Sequence, residues 1–431
     1  MSLTDIILKT LNLKDKNIKF YEKSVTEEEI KGKRSLIYHA YLTYDVQSCP
    51  KCGCLNDNSI DKHGFKQSKI KLPAVSKLNT YLYLDKQRYK CRHCKSTFTC
   101  NTDIVNHGCF ISNNTKLSIA VDMGKIISEK DVAKNNNVSP NTVERVIDSY
   151  YDSNTVWKNY LPENLSFDEF KSVKSADGKM SFNMCDARTG KTIDIVENRQ
   201  LDNLLKYFSR YSKEAKNNVK NIVIDMYSPY ISLIKTTFPN ASIIIDKFHI
   251  VQLISRSLNK TRVSIMKNDK KNYNKMKRYW RLLLKYRPDL NNEKWKKFRC
   301  FDHLMTEVNV VDYILEQNAE LKATYDVYQN LLFAIRNKDI EAFDRALSTQ
   351  YNNISDYMKT SLKTLNEFKL LIHNTLNSDL TNGHIEGNNN LIKTIKRVAF
   401  GFRSFLRFKA RIMIITGLLK LNRKEAMSLT T

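Results

Sequence analysis

Long apolar runs are what this sequence lacks first: no stretch approaches the length of a membrane span. The opening residues, Met1-Ser2-Leu3-Thr4-Asp5, lack the basic-then-apolar layout of a secretion signal. These absences argue against a membrane location and lead us to expect a cytoplasmic, nucleoid-associated protein. Glycine (11) and proline (7) are scarce among 431 residues. That leaves little material for long flexible linkers and favours helix. Acid is also short, with 45 Asp and Glu against 71 Lys and Arg, a formal net charge of +26. A deficit of that size points to a polyanionic partner, nucleic acid before an anionic membrane surface. The nine cysteines are an odd number. In a large, unsecreted chain they suit metal ligation better than a disulfide framework. The length allows two to four domains.

Four of the cysteines form the sharpest local pattern. Cys49-Pro50-Lys51-Cys52-Gly53 is answered by Cys91-Arg92-His93-Cys94. Two Cys-x-x-Cys pairs place four thiolates in two tight turns, the donor set of tetrahedral Zn²⁺. Tyr81–Leu84 and Arg88–Lys90 alternate as strands do, so the segment reads as a zinc ribbon. Cys54 could substitute for one ligand. A redox pair or unrelated buried thiols are the bland alternatives. Residues 1–45 read as a short amphipathic helix (Leu3, Ile6, Ile7, Leu11) followed by extended text to which no function attaches.

Residues 115–150 read as a helix-turn-helix. Ser128-Glu129 opens one helix, Val132 and Ala133 face inward, and Asn137 stands where a left-handed residue is needed. Ser139-Pro140 opens the second helix, with Val143 and Val146 inward. Asn141, Thr142 and Arg145 are then left pointing towards DNA. Any three-helix packing module would share the pattern; the charge excess favours DNA.

From residue 164 the text changes to strands and helices: strands at 165–170, 179–186 and 191–197, a helix at 201–211, a strand at 219–224, a helix at 229–238 and a strand at 241–245. A three-strand meander followed by parallel strands with crossover helices is the layout of a ribonuclease-H-like fold. It makes the first and fourth strands neighbours and sets Asp168 beside Asp225. Two such carboxylates repel unless a cation lies between them. Mg²⁺ (or Mn²⁺) accepts one or two carboxylates plus substrate phosphate. With a third acid the site could hold two metals for phosphoryl transfer. Strand-end acids that merely cap turns are the alternative. Residues 251–380 read as helical, with Trp280, Trp295, Leu331–Phe333 and Phe343 as core markers.

Near the end, Asn382-Gly383-His384-Ile385-Glu386-Gly387-Asn388-Asn389-Asn390 starts a helix, with Asn382 as its cap. Residues 386, 390, 393 and 397 share one face, while Ile385, Ile392 and Ile395 turn inward. Glu386 is the best third acid. Lys393, Lys396, Arg397 and Arg403 form a cationic DNA-binding set. Phe400 and Phe402 read as core rather than as base-stacking residues, and a final helix is expected over 412–421.

The motifs now assemble into a resemblance that covers the chain from about residue 45. The ribbon and helix-turn-helix precede Ser166-Phe167-Asp168-Glu169-Phe170, Ile224-Asp225-Met226-Tyr227-Ser228-Pro229-Tyr230 and Ile245-Asp246-Lys247-Phe248-His249-Ile250-Val251. After a helical insertion come the Asn382–Asn390 motif and Lys396-Arg397-Val398-Ala399-Phe400-Gly401-Phe402-Arg403-Ser404-Phe405. This resembles bacterial insertion-sequence transposases of the ISL-three family. The resemblance implies a DDE transposase in which Asp168, Asp225 and Glu386 bind Mg²⁺, hydrolyse the strand at the transposon end and direct its 3′-hydroxyl at target DNA. The ribbon and helix-turn-helix would recognise the terminal inverted repeats, and joining two ends implies a homodimer or larger assembly. Asp246 and His249 match a further family motif and could support the acids, with Asp246 the main rival to a catalytic position. Glu169 would point to the opposite face of its strand. The expected architecture is multidomain α+β. It has an N-terminal segment with the ribbon (1–110), a helix-turn-helix (111–155), a ribonuclease-H-like domain (156–255) interrupted by a helical insertion (256–380), and final helices (381–431). A non-catalytic DNA-binding regulator built from the same parts is the runner-up; a structure-selective nuclease or resolvase is third.

Overall fold

The computed structural model describes residues 2–150 and 158–419. The chain divides into two compact units, residues 1–155 with 392–431, and residues 156–391. The expected boundary at 155/156 and the end of the final helix at 421 lie outside the described residues. Among those residues no helix is long and apolar enough to cross a membrane.

The first unit opens with α1 (Leu3–Thr10) and the strands β1 (Ile18–Ile30), β2 (Lys33–Leu42), β3 (Ile60–Val75), β4 (Leu78–Cys91) and β5 (Thr97–Thr99). They form one sheet in the order β1-β2-β4-β3, with β5 paired to β4. Two antiparallel hairpins meet through a parallel β2/β4 seam. Each hairpin closes through two left-handed residues, Lys31-Gly32 and Ser76-Lys77, the geometry that matches strand twist. Leu82, Leu84, Ile70, Leu72, Ala40 and Leu42 are buried in one cluster with Ile7 and Leu11 of α1. The extended text at the N-terminus therefore belongs to a sheet much larger than a free-standing ribbon.

Three helices follow: α2 (Asn113–Asp122), α3 (Glu129–Asn135) and α4 (Pro140–Tyr150). The Oγ of Ser112 and of Ser128 each accept an amide at 3.1 Å and cap α2 and α3. Asn137 turns the chain with φ +51°. Its carbonyl accepts from Lys71 Nζ at 2.7 Å and its amide donates to Tyr81 Oη at 2.7 Å, tying this turn to the sheet. Val132, Ala133, Val143 and Val146 are buried.

The second unit begins with β6 (Asn164–Lys171), β7 (Met180–Asp186) and β8 (Thr192–Val196). Then come α5 (Leu201–Phe208), α6 (Lys213–Asn217), β9 (Asn221–Ile224), α7 (Ser228–Thr237) and β10 (Ser242–Ile245). The sheet order is β10-β9-β6-β7-β8. β6, β7 and β8 form an antiparallel meander, and β9 and β10 add in parallel. α8 (Lys247–Asn268) leads into α9 (Tyr273–Arg278), α10 (Trp280–Leu283), the two-residue strands β11 (Lys296–Lys297) and β12 (Leu304–Met305), and α11 (Glu307–Glu316). The helices α12 (Ala319–Asn337), α13 (Ile340–Ser348), α14 (Asp356–Glu367) and α15 (Lys369–Leu376) complete this stretch. One continuous apolar core runs from Phe167 and Phe182 in the sheet to Leu331, Phe343 and Ile372 in these helices. Trp295, expected in the core, is 60% exposed beside the short β11. α15 covers the β10 edge, where Thr375 Oγ1 both accepts from the Ile245 amide (2.9 Å) and donates to its carbonyl (2.8 Å). Covering an edge in this way removes a site for stray pairing.

The last helices are α16 (Gly383–Val398) and α17 (Phe405–Ile415). Ile385, Ile392 and Ile395 are buried as expected. α17 begins seven residues before the expected start because Phe405 and Phe408 already face inward.

Candidate functional site

β6 and β9 run parallel, with Ser166 opposite Val223. Two residues further on, each strand delivers an aspartate, Asp168 and Asp225, to one corner of the sheet. Both line a cavity of about 290 Å³ together with Glu169, Tyr230, His249 and Arg256. Burial, with the nearby charge of Asp225, pushes Asp168 up to about 6 against the opposing hydrogen bond from the Glu169 amide. Asp168 Oδ1 accepts that amide at 2.7 Å, and Oδ2 accepts from Asn389 Nδ2 at 2.6 Å. Asn389 Oδ1 in turn accepts from Asn183 Nδ2 at 2.9 Å. Asp225 Oδ1 meets His249 Nε2 at 2.9 Å, which raises the imidazole above its ordinary value.

The α16 start brings Glu386 to Asp246 and His249. Ligand atoms of Asp246, His249 and Glu386 all lie within 4.8 Å of one another. Asp246 is buried and its Oδ1 accepts the Asn382 amide at 3.1 Å; Glu386 is exposed. The β7–β8 turn abuts this helix. Gly190 has φ +70°, a Cβ there would meet His384 Nδ1 at 3.0 Å, and the Gly190 carbonyl accepts from Asn388 Nδ2 at 2.9 Å.

Two expectations change here. Asn382 was expected to cap α16 with its side-chain oxygen. Instead its Nδ2 donates to Asp225 Oδ1 at 3.2 Å, and its buried Oδ1 has no partner among the described residues. The pull of the Asp225 carboxylate outweighs the cap. Glu169 was expected on the far face; it lines the cavity and is held by Arg199 and by Tyr230 Oη. The orphaned amide oxygen and the elevated Asp168 fit a divalent cation, which would satisfy the first and draw the proton from the second. Asn389, Asn183 and Arg199 escaped the sequence reading, and Asn382 was given a different partner there. Only the Asn388-Asn389-Asn390 run offered a signal.

The thiols gather at the end of β4. The sulfurs of Cys49, Cys52, Cys54 and Cys91 all lie within 4.8 Å of one another. Cys94 Sγ is 3.7 Å from Cys49 Sγ, Cys52 to Cys91 is 3.8 Å and Cys54 to Cys91 is 3.4 Å. Zn–S bonds of about 2.3 Å set tetrahedral sulfurs about 3.8 Å apart. These separations therefore fit Zn²⁺ and exclude disulfides, whose sulfurs lie about 2.05 Å apart. Amides of Cys52 and Lys51 lower the Cys49 thiol to about 6. Five sulfurs thus share a site for four, with Cys54 as well placed as Cys94, which also meets Ser96 Oγ at 2.8 Å.

On α4, Asn141 and Arg145 are exposed and Thr142 is partly so. Lys393, Arg397 and Arg403 are exposed and Lys396 is partly buried. Phe402 packs on Phe408, with ring centres 4.9 Å apart, as expected of core; Phe400 does not, being 95% exposed. Its backbone turns left-handed at the end of α16, with φ +55°, and that swings the ring outward.

Residues 165–412 match the DDE transposase family of the ISL3 type, described as a transposase. Residues 45–94 match the zinc-finger of transposase IS204/IS1001/IS1096/IS1165. The chain is 26% identical over 263 residues to the transposase for insertion sequence element IS1001 of Bordetella parapertussis, covering 58% of this chain and 60% of that protein. It is 40% identical over 115 residues to a Lactococcus lactis subsp. lactis protein named ATP-dependent protease, covering 26% of this chain and 36% of that protein. The chain thus spans less than two thirds of the length of either curated relative.

Proposed function

Because the chain belongs to the ISL3 family of DDE transposases, we propose that it cuts DNA at the terminal inverted repeats of its insertion sequence and joins the freed 3′ ends to target DNA. The observation that carries this reading is the meeting of Asp168 and Asp225 on adjacent parallel strands, with Glu386 brought to the same corner through His249. The meander with two added parallel strands supports a ribonuclease-H-like catalytic core. The Ser128–Tyr150 helices, with their left-handed Asn137, support a helix-turn-helix.

Asp168, Asp225 and Glu386 would hold Mg²⁺ or Mn²⁺. The bound ion supplies Lewis acidity at the scissile phosphate. Asp246 fixes the helix start through its Oδ1, and its place beside His249 and Glu386 keeps it a rival metal ligand. Asn389 orients Asp168 and His249 orients Asp225. Arg256, exposed at the cavity, can meet a phosphate. The cysteine cluster would hold Zn²⁺ and fix the ribbon, and the ribbon and helix-turn-helix would read double-stranded DNA. Synapsis of two ends calls for a homodimer or larger assembly, acting in the bacterial cytoplasm. The name of the Lactococcus relative does not carry over. Gly190-Lys191-Thr192 has Cys185 where a nucleotide-cradling loop needs its first glycine, and it lies at a β-hairpin.

The test is strand cleavage on a plasmid that carries the gene with its native flanks, wild type against Glu386→Gln, with and without Mg²⁺. Metal-dependent breaks at the borders of matching inverted repeats, lost in the variant, are expected. Binding at those borders without breaks under any divalent metal would leave a DNA-binding regulator.

A further inference from the structure

The C-terminus of α16 closes in a Schellman motif with an unusual occupant. The Phe400 amide donates to the Arg397 carbonyl and the Gly401 amide to the Lys396 carbonyl, each at 3.1 Å. These are the two crossed bonds that end a helix in this way. The left-handed corner belongs to Phe400, with φ +55°, and Gly401 follows at +99°. Glycine is favoured at that corner because a side chain there crowds the backbone. Here the bulky ring takes the strained position and the glycine stands one residue later. Held strain of this kind concentrates where a side chain must be presented.

The ring is presented fully. Phe400 is 95% exposed, the most exposed large hydrophobic side chain among the described residues. Its surroundings are ordered: Phe402 packs on Phe408, and Phe405 and Phe408 are buried. Its neighbours are cationic, with Lys393, Arg397 and Arg403 all exposed. That charge disfavours an apolar protein partner, whereas nucleic acid uses both features. Phosphates take the cations and a base takes the aromatic face.

We propose that Phe400 stacks on a nucleobase of the DNA held by the basic end of α16, at an unpaired or partly unstacked step. The proposal rests on the DNA-binding reading above and adds a preference for local DNA structure over sequence, since every base offers a π-face.

The experiment uses the zinc-loaded full chain without Mg²⁺. The probes are a short duplex and the same duplex with a single unpaired 2-aminopurine. The wild type should bind the second about tenfold more tightly, the effect of one base–aromatic stack, and quench its fluorescence. Phe400→Ala should lose the preference and the quenching while keeping its affinity for the paired duplex; Phe400→Trp should keep all three. Phe400→Gly should melt about 2 °C higher, as the corner residue relaxes, yet bind like the alanine variant. An unchanged preference in Phe400→Ala overturns the proposal. So does a change in its sedimentation with the 2-aminopurine signal intact, which would place the ring against another protein chain. If the wild type binds neither duplex, the DNA-binding reading falls; if it binds both equally, only the stacking falls.

Discussion

Asn389 is engaged at both ends of its carboxamide, donating to Asp168 and accepting from Asn183. Asn389→Leu would leave a buried Asn183 amide unpaired, at a cost of about 1–3 kcal/mol. Its urea midpoint should fall accordingly, and cleavage should fall further than stability does as Asp168 loses its donor. An unchanged midpoint would mean that water replaces the contact. At Glu307 the balance is set by cations. Burial opposes ionisation, but hydrogen bonds from Lys285 Nζ (2.9 Å) and the Asn291 amide (3.2 Å), with the charges of Lys285 and Lys296, hold its carboxyl below the ordinary value. A depressed carboxyl stabilises the fold fully above its unfolded value and loses that stabilisation as pH falls through the folded one. Lys285→Met should therefore narrow the gap between urea midpoints at neutral and acid pH. A gap equal to that of the wild type would remove Glu307 from the acid response.

At the scale of elements, the β7–β8 turn sets where α16 begins. Gly190 supplies a left-handed corner and the room for His384. Gly190→Ala asks for both a strained backbone and a contact tighter than van der Waals, so Glu386 should move. Cleavage should drop at least tenfold while zinc content and DNA binding stay the same. Equal cleavage would show that α16 is positioned from elsewhere. In the first unit, α17 is locked by Arg411, which is buried and donates to the carbonyls of Met123, Lys125 and Ile127. Arg403, Arg407 and Arg411 recur every four residues, yet their surroundings separate them. Arg411 closes a loop, Arg407 pairs with Asp148, and Arg403 is exposed.

At the scale of the molecule, the thiol cluster joins the loop after β2 to the end of β4, so metal and sheet should be lost together. Cys91→Ser removes a sulfur shared by the two four-ligand sets, the one with Cys94 and the one with Cys54. It should release zinc, measurable by metal analysis, and lower the melting temperature of the first unit; full metal content would refute the site. The net charge of +26 should make DNA affinity fall steeply with salt, as counterion release requires. A flat dependence would point away from backbone contacts.

The sequence by itself determined the element order of the second unit, the pairing of Asp168 with Asp225 and the gathering of the cysteines. Each follows from a short-range signal: apolar runs ending in acids, or Cys-x-x-Cys turns. The large N-terminal sheet was less legible. β1 is a mostly exposed edge strand without clean alternation, and the Ser76-Lys77 turn has no glycine to announce it. Only the tertiary structure decided what depends on residues distant in sequence. It gave Asn382 to Asp225 in place of its cap, put Glu169 under Arg199, brought Cys54 into the thiol cluster and turned Phe400 outward. Local pattern states which groups a segment offers; which partner each group meets is settled by the competition among all the groups that packing brings within reach.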